Sequence, residues 1–124
     1  MLGDSIPFSG FSVDDLEAAS TFYRDTLGLV VLDADGMSFL ELAGGHRVLI
    51  YPKPDHEPAS FTILNFPVAD VESAVTRLTE GGVVFEKYEG TAVATDEQGV
   101  FRGGGPLIAW FKDPAGNVLS VIED

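Results

Sequence analysis

An internal repeat constrains the fold of this chain more than any other feature of its sequence. When the sequence is shifted by 55 residues against itself, residues 11–19 align with residues 66–74, and six of the nine positions are identical or near-identical. Self-similarity at a fixed offset is typical of a supersecondary unit that occurs twice in one chain. The sequence therefore predicts two structurally related halves.

Both halves show the same order of predicted elements. Each begins with an extended segment (7–13 and 61–68), followed by an Asp suited to a helix N-cap and by apolar residues at helical spacing. Each predicted helix ends at glycine, Gly28 in the first half and Gly81 in the second. Three candidate strands follow each helix, near 30–33, 37–42 and 47–51, and near 83–87, 107–112 and 117–122. The pattern predicts an α+β fold of two tandem βαβββ modules.

The 124-residue length predicts a single domain spanning 1–124. We expect module one at about 5–52, a proline-rich connector at 52–60 and module two at about 61–124. A long polar stretch, 89–105, interrupts the second module and ends in three glycines. A loop of this length favours a mobile lid, with surface disorder as the alternative.

The composition excludes several classes of protein. A net charge of −13 with only seven Lys and Arg residues argues against nucleic acid as a partner. No run reaches the roughly 18 apolar residues of a membrane span, and no basic stretch precedes an apolar one at the N-terminus. With no cysteine for disulfides or thiolate ligands, a cytoplasmic location is expected. The acidic charge serves solubility or draws cationic ligands toward the protein.

Three segments carry a resemblance to a known family: Val13-Asp14-Asp15-Leu16, Phe22-Tyr23-Arg24-Asp25-Thr26-Leu27-Gly28-Leu29 and Trp110-Phe111-Lys112-Asp113-Pro114-Ala115-Gly116-Asn117. Together they resemble the vicinal oxygen chelate superfamily, which includes glyoxalase I, extradiol dioxygenases and the bleomycin resistance proteins. The resemblance implies paired βαβββ modules that form an incomplete barrel around a cleft. It also implies, in the metal-dependent members, one His, Glu or Gln ligand on the first and last strand of each module.

The four positions that correspond to those ligands read Phe8, Ile50, Ile63 and Ser120. Hydrocarbon side chains cannot coordinate a metal, and a lone serine hydroxyl is a weak ligand. A different ligand set would have to come from His46, His56, Glu41 and nearby acids. We therefore expect neither a metal nor another cofactor.

The strand faces that carry these positions are expected to line the cleft with mostly apolar side chains and a few polar ones, as in small-molecule sites. Trp110 and Phe111 point to opposite faces, so only one of them lies in the cleft. The alternative is a filled core without a cavity. The candidate ligand-binding residues are Phe8, Gly10, Ser12, Val48, Ile50, Ile63, Asn65, Trp110, Phe111 and Ser120.

The favoured function is that of a metal-free homodimeric protein, similar to the bleomycin resistance branch, that sequesters an aromatic or cationic small molecule. The first alternative is a metal-dependent lyase, isomerase or dioxygenase similar to glyoxalase I or the extradiol enzymes. The second is a metal-free enzyme in which Asn65, Ser120 or an acidic residue transfers a proton. No nucleophile elbow, phosphate-binding loop or dinucleotide fingerprint is present in the sequence.

Overall fold

A computed structural model describes residues 1–88 and 95–124, and their contacts divide the chain into two units, Met1–Glu57 and Pro58–Asp124. We call them the N-unit and the C-unit. The division between Glu57 and Pro58 falls inside the proline-rich segment 52–60. Each unit contains one sheet and one main helix.

The main elements of the N-unit are β1 (Ser9–Val13), α1 (Leu16–Thr21), β2 (Val30–Asp33), β3 (Ser38–Glu41) and β4 (Arg47–Pro52). Short 3-10 turns occupy Leu2–Asp4 and Ala43–Gly45. The four strands form a sheet in the order β1-β4-β3-β2, with β1 parallel to β4 and the other pairs antiparallel.

The elements of the C-unit are β5 (Thr62–Val68), α2 (Val71–Glu80), β6 (Val100–Phe101), β7 (Ile108–Lys112) and β8 (Val118–Glu123). Its strands repeat the topology of the N-unit as a sheet in the order β5-β8-β7-β6, with β5 parallel to β8. Neither sheet closes on itself, since each has two edge strands. The predicted α+β class and the two βαβββ modules are confirmed.

The two helices begin in the same way, at the aspartates that the repeat aligns. The Asp15 carboxylate accepts a hydrogen bond from the Ala18 backbone N–H at 3.1 Å, and Asp70 accepts one from Ser73 at 3.0 Å. Each carboxylate satisfies a backbone donor that has no partner within its helix. The helices then differ, because α1 continues as a π-helix over Phe22–Thr26.

The hairpin between β2 and β3 shows why the sequence places Asp-Gly at this turn. Ala34 and Met37 exchange both backbone hydrogen bonds, so the loop contains only two residues. Those residues, Asp35 and Gly36, have φ angles of 55° and 81°. Two successive positive φ angles define the turn that matches the twist of a hairpin, and Asp-Gly tolerates them best.

The second module departs from the prediction between its helix and β7. The segment predicted as a strand at 83–87 contributes only an isolated bridge between Phe85 and Phe111. The fourth strand of this sheet is instead β6, which lies inside the predicted loop 89–105 and pairs with Ala109 and Ile108. The two segments share one edge of β7, so neither forms a long strand. Residues 89–94 of the predicted lid lie outside the described part of the chain.

One face of each sheet is covered by the helix of its own unit. In the N-unit the Ser20 hydroxyl on α1 lies 3.3 Å from the Ser38 hydroxyl, which places Ser38 and Leu40 on the covered face. In the C-unit Arg102 reaches Glu72 on α2 at 3.0 Å, which places Val100 on the covered face by strand alternation. The buried apolar residues on these faces form the two cores, and each fully buried side chain contributes about 1.5–3 kcal/mol.

Candidate functional site

The opposite face of each sheet, which we call the open face, carries the residues that alternate with the core. On the N-unit, Gly10 and Ser12 of β1 lie on this face. The Phe8 ring, which precedes β1, packs edge-to-face on Phe39 with centroids 5.4 Å apart. Phe8 remains 57% exposed. The open face of the N-unit therefore carries an exposed aromatic pair beside Gly10 and Ser12.

Strand register separates Val48 and Ile50 from these residues. Ile50 pairs with Ser38, the residue that contacts α1, and both Val48 and Ile50 are buried on the covered face. Gly10 pairs instead with Leu49, and Leu49 pairs with Phe39. The open-face position on β4 is thus Leu49, one residue from the predicted Ile50, and Val48 and Ile50 belong to the core.

A charged pair borders the same face. The Arg47 guanidinium lies over the Phe39 ring, 3.9 Å from its centroid, and donates a hydrogen bond to Glu41 at 3.0 Å. A guanidinium above a ring is attracted by the negative charge of the π face. Arg47 therefore holds the Phe39 ring in place from one side while Phe8 packs on its edge.

The connector is attached to the N-unit through Ser12. Its hydroxyl lies 2.6 Å from Nδ1 of His56, and the His56 backbone N–H donates to the Lys53 carbonyl. These contacts give His56 a structural role at the end of β1. The sequence contained no signal for this pair, since 44 residues separate the two side chains.

On the C-unit, three predicted residues come together on the open face. Asn65, Ser120 and Trp110 are consecutive partners across β5, β8 and β7. The Ser120 hydroxyl donates a hydrogen bond to Oδ1 of Asn65 at 2.5 Å. Ser120 is 0% exposed, whereas the Asn65 side chain is exposed and Trp110 is half-buried. The polar pair therefore joins a buried hydroxyl to an accessible amide.

The structure decides which of two neighbouring aromatic residues belongs to the open face. Phe111 is 1% exposed and packs edge-to-face against Phe85, with centroids 5.4 Å apart. Phe111 therefore belongs to the core under α2. Trp110 shares its face with Ser120 and is half-buried.

Trp110 belongs to an aromatic cluster that the sequence did not single out. The Tyr88 and Phe101 rings lie 5.5 Å and 6.1 Å from Trp110, centroid to centroid. Tyr88 and Phe101 carried no periodic signal, because Tyr88 immediately precedes the segment 89–105 predicted as an irregular loop and Phe101 lies inside it.

An ion pair lies beside this cluster. Lys112 contacts Glu86 at 3.1 Å, and this hydrogen bond raises the pKa of the Lys112 ammonium group. Burial raises the pKa of the Tyr88 phenol, the Glu86 charge raises it further and Lys112 opposes the increase. Tyr88 is therefore a neutral phenol at physiological pH, and it offers an apolar ring rather than a charge.

The predicted residue on the first strand of the C-unit, Ile63, lies where the strand pairing is irregular. The register between β5 and β8 shifts between Thr62 and Leu64, and Ile63 lies at this irregularity without a paired position on β8. Strand alternation therefore does not assign its face. Its side chain is half-buried.

The residues at the family's ligand positions do not fit a metal ion. With the register corrected, these positions hold Phe8, Leu49, Ile63 and Ser120, which supply one hydroxyl and three hydrocarbon groups. The Ser120 hydroxyl already donates to Asn65. Within residues 1–88 and 95–124, no three His, Asp or Glu side chains are grouped so that they could hold a metal.

Comparisons with known proteins agree with this architecture. The family model described as Glyoxalase/Bleomycin resistance protein/Dioxygenase superfamily matches residues 6–121. No curated protein sequence matches the chain.

Solved structures share its fold. A glyoxalase family protein from Enterococcus faecalis is 22% identical with a TM-score of 0.71, covering 99% of this chain and 100% of that one. TnmS3, an antibiotic binding protein from Streptomyces sp. CB03234, is 24% identical with a TM-score of 0.66, covering 96% of both chains. Lactoylglutathione lyase from Agrobacterium tumefaciens is 24% identical with a TM-score of 0.62, covering 96% of this chain and 92% of that one.

Identities this low show a common fold and leave activity to be argued from the residues. The family model covers nearly the whole chain, and it spans both βαβββ units. The chain therefore belongs to the Glyoxalase/Bleomycin resistance protein/Dioxygenase superfamily.

Proposed function

We propose that this protein binds a small organic molecule without a metal ion and acts by sequestering it. The observation that carries the proposal is the chemistry of the four ligand positions: Phe8, Leu49 and Ile63 have no donor atom, and the Ser120 hydroxyl is engaged by Asn65. A Lewis-acid mechanism needs several nitrogen or carboxylate donors that converge on one ion. Among the similar structures, TnmS3 is an antibiotic binding protein.

The proposed ligand is flat and aromatic, because Trp110, Tyr88 and Phe101 lie together on the open face of the C-unit. Burial of apolar ligand area supplies most of the affinity, at about 25 cal/mol per Å² before ordering costs. The net charge of −13 favours ligands that also carry a positive charge, through long-range attraction.

The binding test uses the fluorescence of Trp110, which is the only tryptophan in the chain. Titration with proflavine, a planar aromatic cation, is expected to quench this emission to saturation, with weaker binding as the salt concentration rises. The matched variant Trp110→Phe keeps an aromatic ring, and its binding is followed by proflavine emission. Quenching that increases linearly without saturation would contradict the proposal.

The metal test is independent of the ligand. Elemental analysis of the purified protein is expected to find no stoichiometric divalent ion, and added Zn²⁺, Ni²⁺, Mn²⁺ or Fe²⁺ is expected to leave the thermal unfolding midpoint unchanged. A stoichiometric ion would overturn the metal-free reading. It would favour the lyase, isomerase or dioxygenase alternative.

We further propose that the two units act as one domain within a homodimer in the cytoplasm, with neither nucleic acid nor membrane as a partner. No helix in the described ranges, 1–88 and 95–124, is long and apolar enough to cross a membrane. Light scattering coupled to size-exclusion chromatography is expected to give twice the mass of the 13.2 kDa chain. A monomeric mass would contradict the dimer.

A further inference from the structure

We propose that the open face of the C-unit selects planar aromatic ligands that carry a carbonyl oxygen, and that the side-chain NH2 group of Asn65 recognises this oxygen. The inference rests on the proposed function and adds the ligand's chemical class. It follows from the orientation of one amide and from its position relative to Trp110.

The hydrogen bond to Ser120 orients the amide of Asn65. The Ser120 hydroxyl donates to Oδ1 of Asn65 at 2.5 Å, and an amide oxygen can only accept a hydrogen bond. This arrangement turns Nδ2, with its two hydrogens, away from Ser120.

The difference in burial between Ser120 and Asn65 shows which side chain of the pair can reach a ligand. Ser120 is fully buried in the strand, whereas the side chain of Asn65 is exposed on the edge strand β5. The buried hydroxyl is thus a positioning group, and the exposed NH2 is the group that contacts a ligand. A ligand that meets two N–H donors needs an acceptor atom.

Strand spacing sets the size of the ligand. Asn65 and Trp110 are separated by one intervening strand, so their backbones lie about 10 Å apart, or two strand spacings. A two-ring aromatic system with a carbonyl substituent spans this distance. Its rings then pack against Trp110 while its oxygen reaches Asn65.

The same geometry disfavours a ligand that lacks the acceptor. An apolar group placed over Asn65 removes water from two amide hydrogens without replacing their hydrogen bonds, and this desolvation reduces affinity. Sites built to hydrogen-bond a ligand group reject analogues without that group for this reason. Asn65 is therefore a specificity-determining residue.

The experiment compares 2-acetylnaphthalene with 2-ethylnaphthalene, which differ in one carbonyl oxygen, by equilibrium dialysis against the full-length protein. The measured quantity is the ratio of their affinities. The acetyl-to-ethyl ratio is expected to be about fivefold higher in the wild type than in Asn65→Ala, since one net hydrogen bond is lost. Asn65→Asp is expected to lower the ratio further, because a carboxylate repels the carbonyl oxygen.

Ser120→Ala tests the positioning role. Without the hydroxyl, the amide rotates between its two orientations, so the acetyl compound is expected to bind about twofold to threefold more weakly while the ethyl compound is unaffected. Ser20→Ala is the matched control, since it removes a hydroxyl hydrogen bond from the covered face of the N-unit. It is expected to leave the ratio unchanged.

The outcomes separate the two proposals. If both compounds bind to saturation and Asn65→Ala leaves their ratio unchanged, the inference about Asn65 is overturned and the metal-free binding function stands. If neither compound binds, the inference about Asn65 is overturned, and the proflavine titration decides separately whether the binding function stands.

Discussion

The two units have one topology but different chemistry at matching positions of their open faces. Across β1, β4 and β3 of the N-unit the three paired residues are Gly10, Leu49 and Phe39. Across β5, β8 and β7 of the C-unit they are Asn65, Ser120 and Trp110. Both faces therefore carry an aromatic ring on the third strand, and among these three paired residues only the C-unit has a hydrogen bond, between Ser120 and Asn65.

Comparison of the repeated positions with the divergent ones shows which residues the fold requires. Asp15 and Asp70 both cap a helix, and Val13 and Val68 occupy the same position at the end of the first strand of each unit. These residues are needed for helix initiation and for packing. The open-face residues face away from each unit's own helix, so their identities are free to differ.

The largest predicted effect tests the division between core and open face in the C-unit. Phe111→Ala removes a buried ring and is expected to lower the free energy of unfolding by about 3–5 kcal/mol. Trp110→Phe keeps an aromatic ring on a half-buried surface and is expected to cost less than about 1.5 kcal/mol. Urea denaturation followed by circular dichroism measures both. Equal losses would place Trp110 in the core.

The second prediction compares matching residues on the central strands. Leu49→Ala removes a half-buried hydrocarbon side chain and is expected to cost about 1–2.5 kcal/mol, mostly below the range of about 2–5 kcal/mol for fully buried leucines. Ser120→Ala removes one hydrogen bond and is expected to cost about 0.5–1.5 kcal/mol. Urea denaturation of both variants shows which one loses more unfolding free energy. A larger loss for Ser120→Ala would mean that the polar pair stabilises the fold more than the apolar side chain does.

The third prediction concerns the edge strands β1 and β5. A Cβ atom at Gly10 would lie 3.3 Å from the Leu49 carbonyl oxygen, a backbone atom that the strand pairing holds in place. Gly10→Ala is therefore expected to destabilise the protein by about 1 kcal/mol. Asn65→Ala, at the matching exposed position, is expected to cost at least about 1 kcal/mol as well, because it leaves the buried Ser120 hydroxyl without its acceptor. Thermal unfolding of the two variants and the wild type, measured in parallel, tests this prediction. A Gly10→Ala variant more stable than the wild type would show that β1 can move away from the Leu49 carbonyl.

The smallest effect is a pH dependence that originates in the C-unit. Burial would raise the pKa of Asp96, but hydrogen bonds from Arg102 and from the Val100 and Gln98 backbone N–H groups lower it below its ordinary value of 3.8. A lowered folded-state pKa contributes stability that is fully present above the unfolded value and is lost as the pH falls through the folded value.

Arg102→Gln is expected to lower stability slightly near neutral pH, because Arg102 pairs with both Asp96 and Glu72 on a partly exposed surface. The difference from the wild type is expected to shrink as the pH falls from about 5 to about 2, since the Asp96 carboxylate becomes protonated. The difference is measured as the unfolding free energies of the variant and the wild type over this pH range. A constant difference across the range would assign the effect to lost packing of the arginine stem.

Local sequence signals were sufficient for the scaffold. The capping aspartates and the Asp35-Gly36 turn depend on neighbours within a few residues, so backbone preference predicts them. The 55-residue repeat is visible when the sequence is aligned with itself. The same motifs supported the family resemblance that the match over residues 6–121 confirms. The segment at 83–87 has strand-like composition, yet the edge it would occupy on β7 is shared with β6.

The sequence by itself determined two βαβββ units, their helix starts and the near absence of metal-ligating side chains at the family's positions. Only the tertiary structure decided that Leu49 replaces Ile50 on the open face, that Trp110 rather than Phe111 lies there, and that Tyr88 and Phe101 join it. The physical reason is strand register: side chains alternate with a period of two, so a shift of one residue exchanges core and surface. Register depends on partners distant in sequence, and no local pattern encodes it.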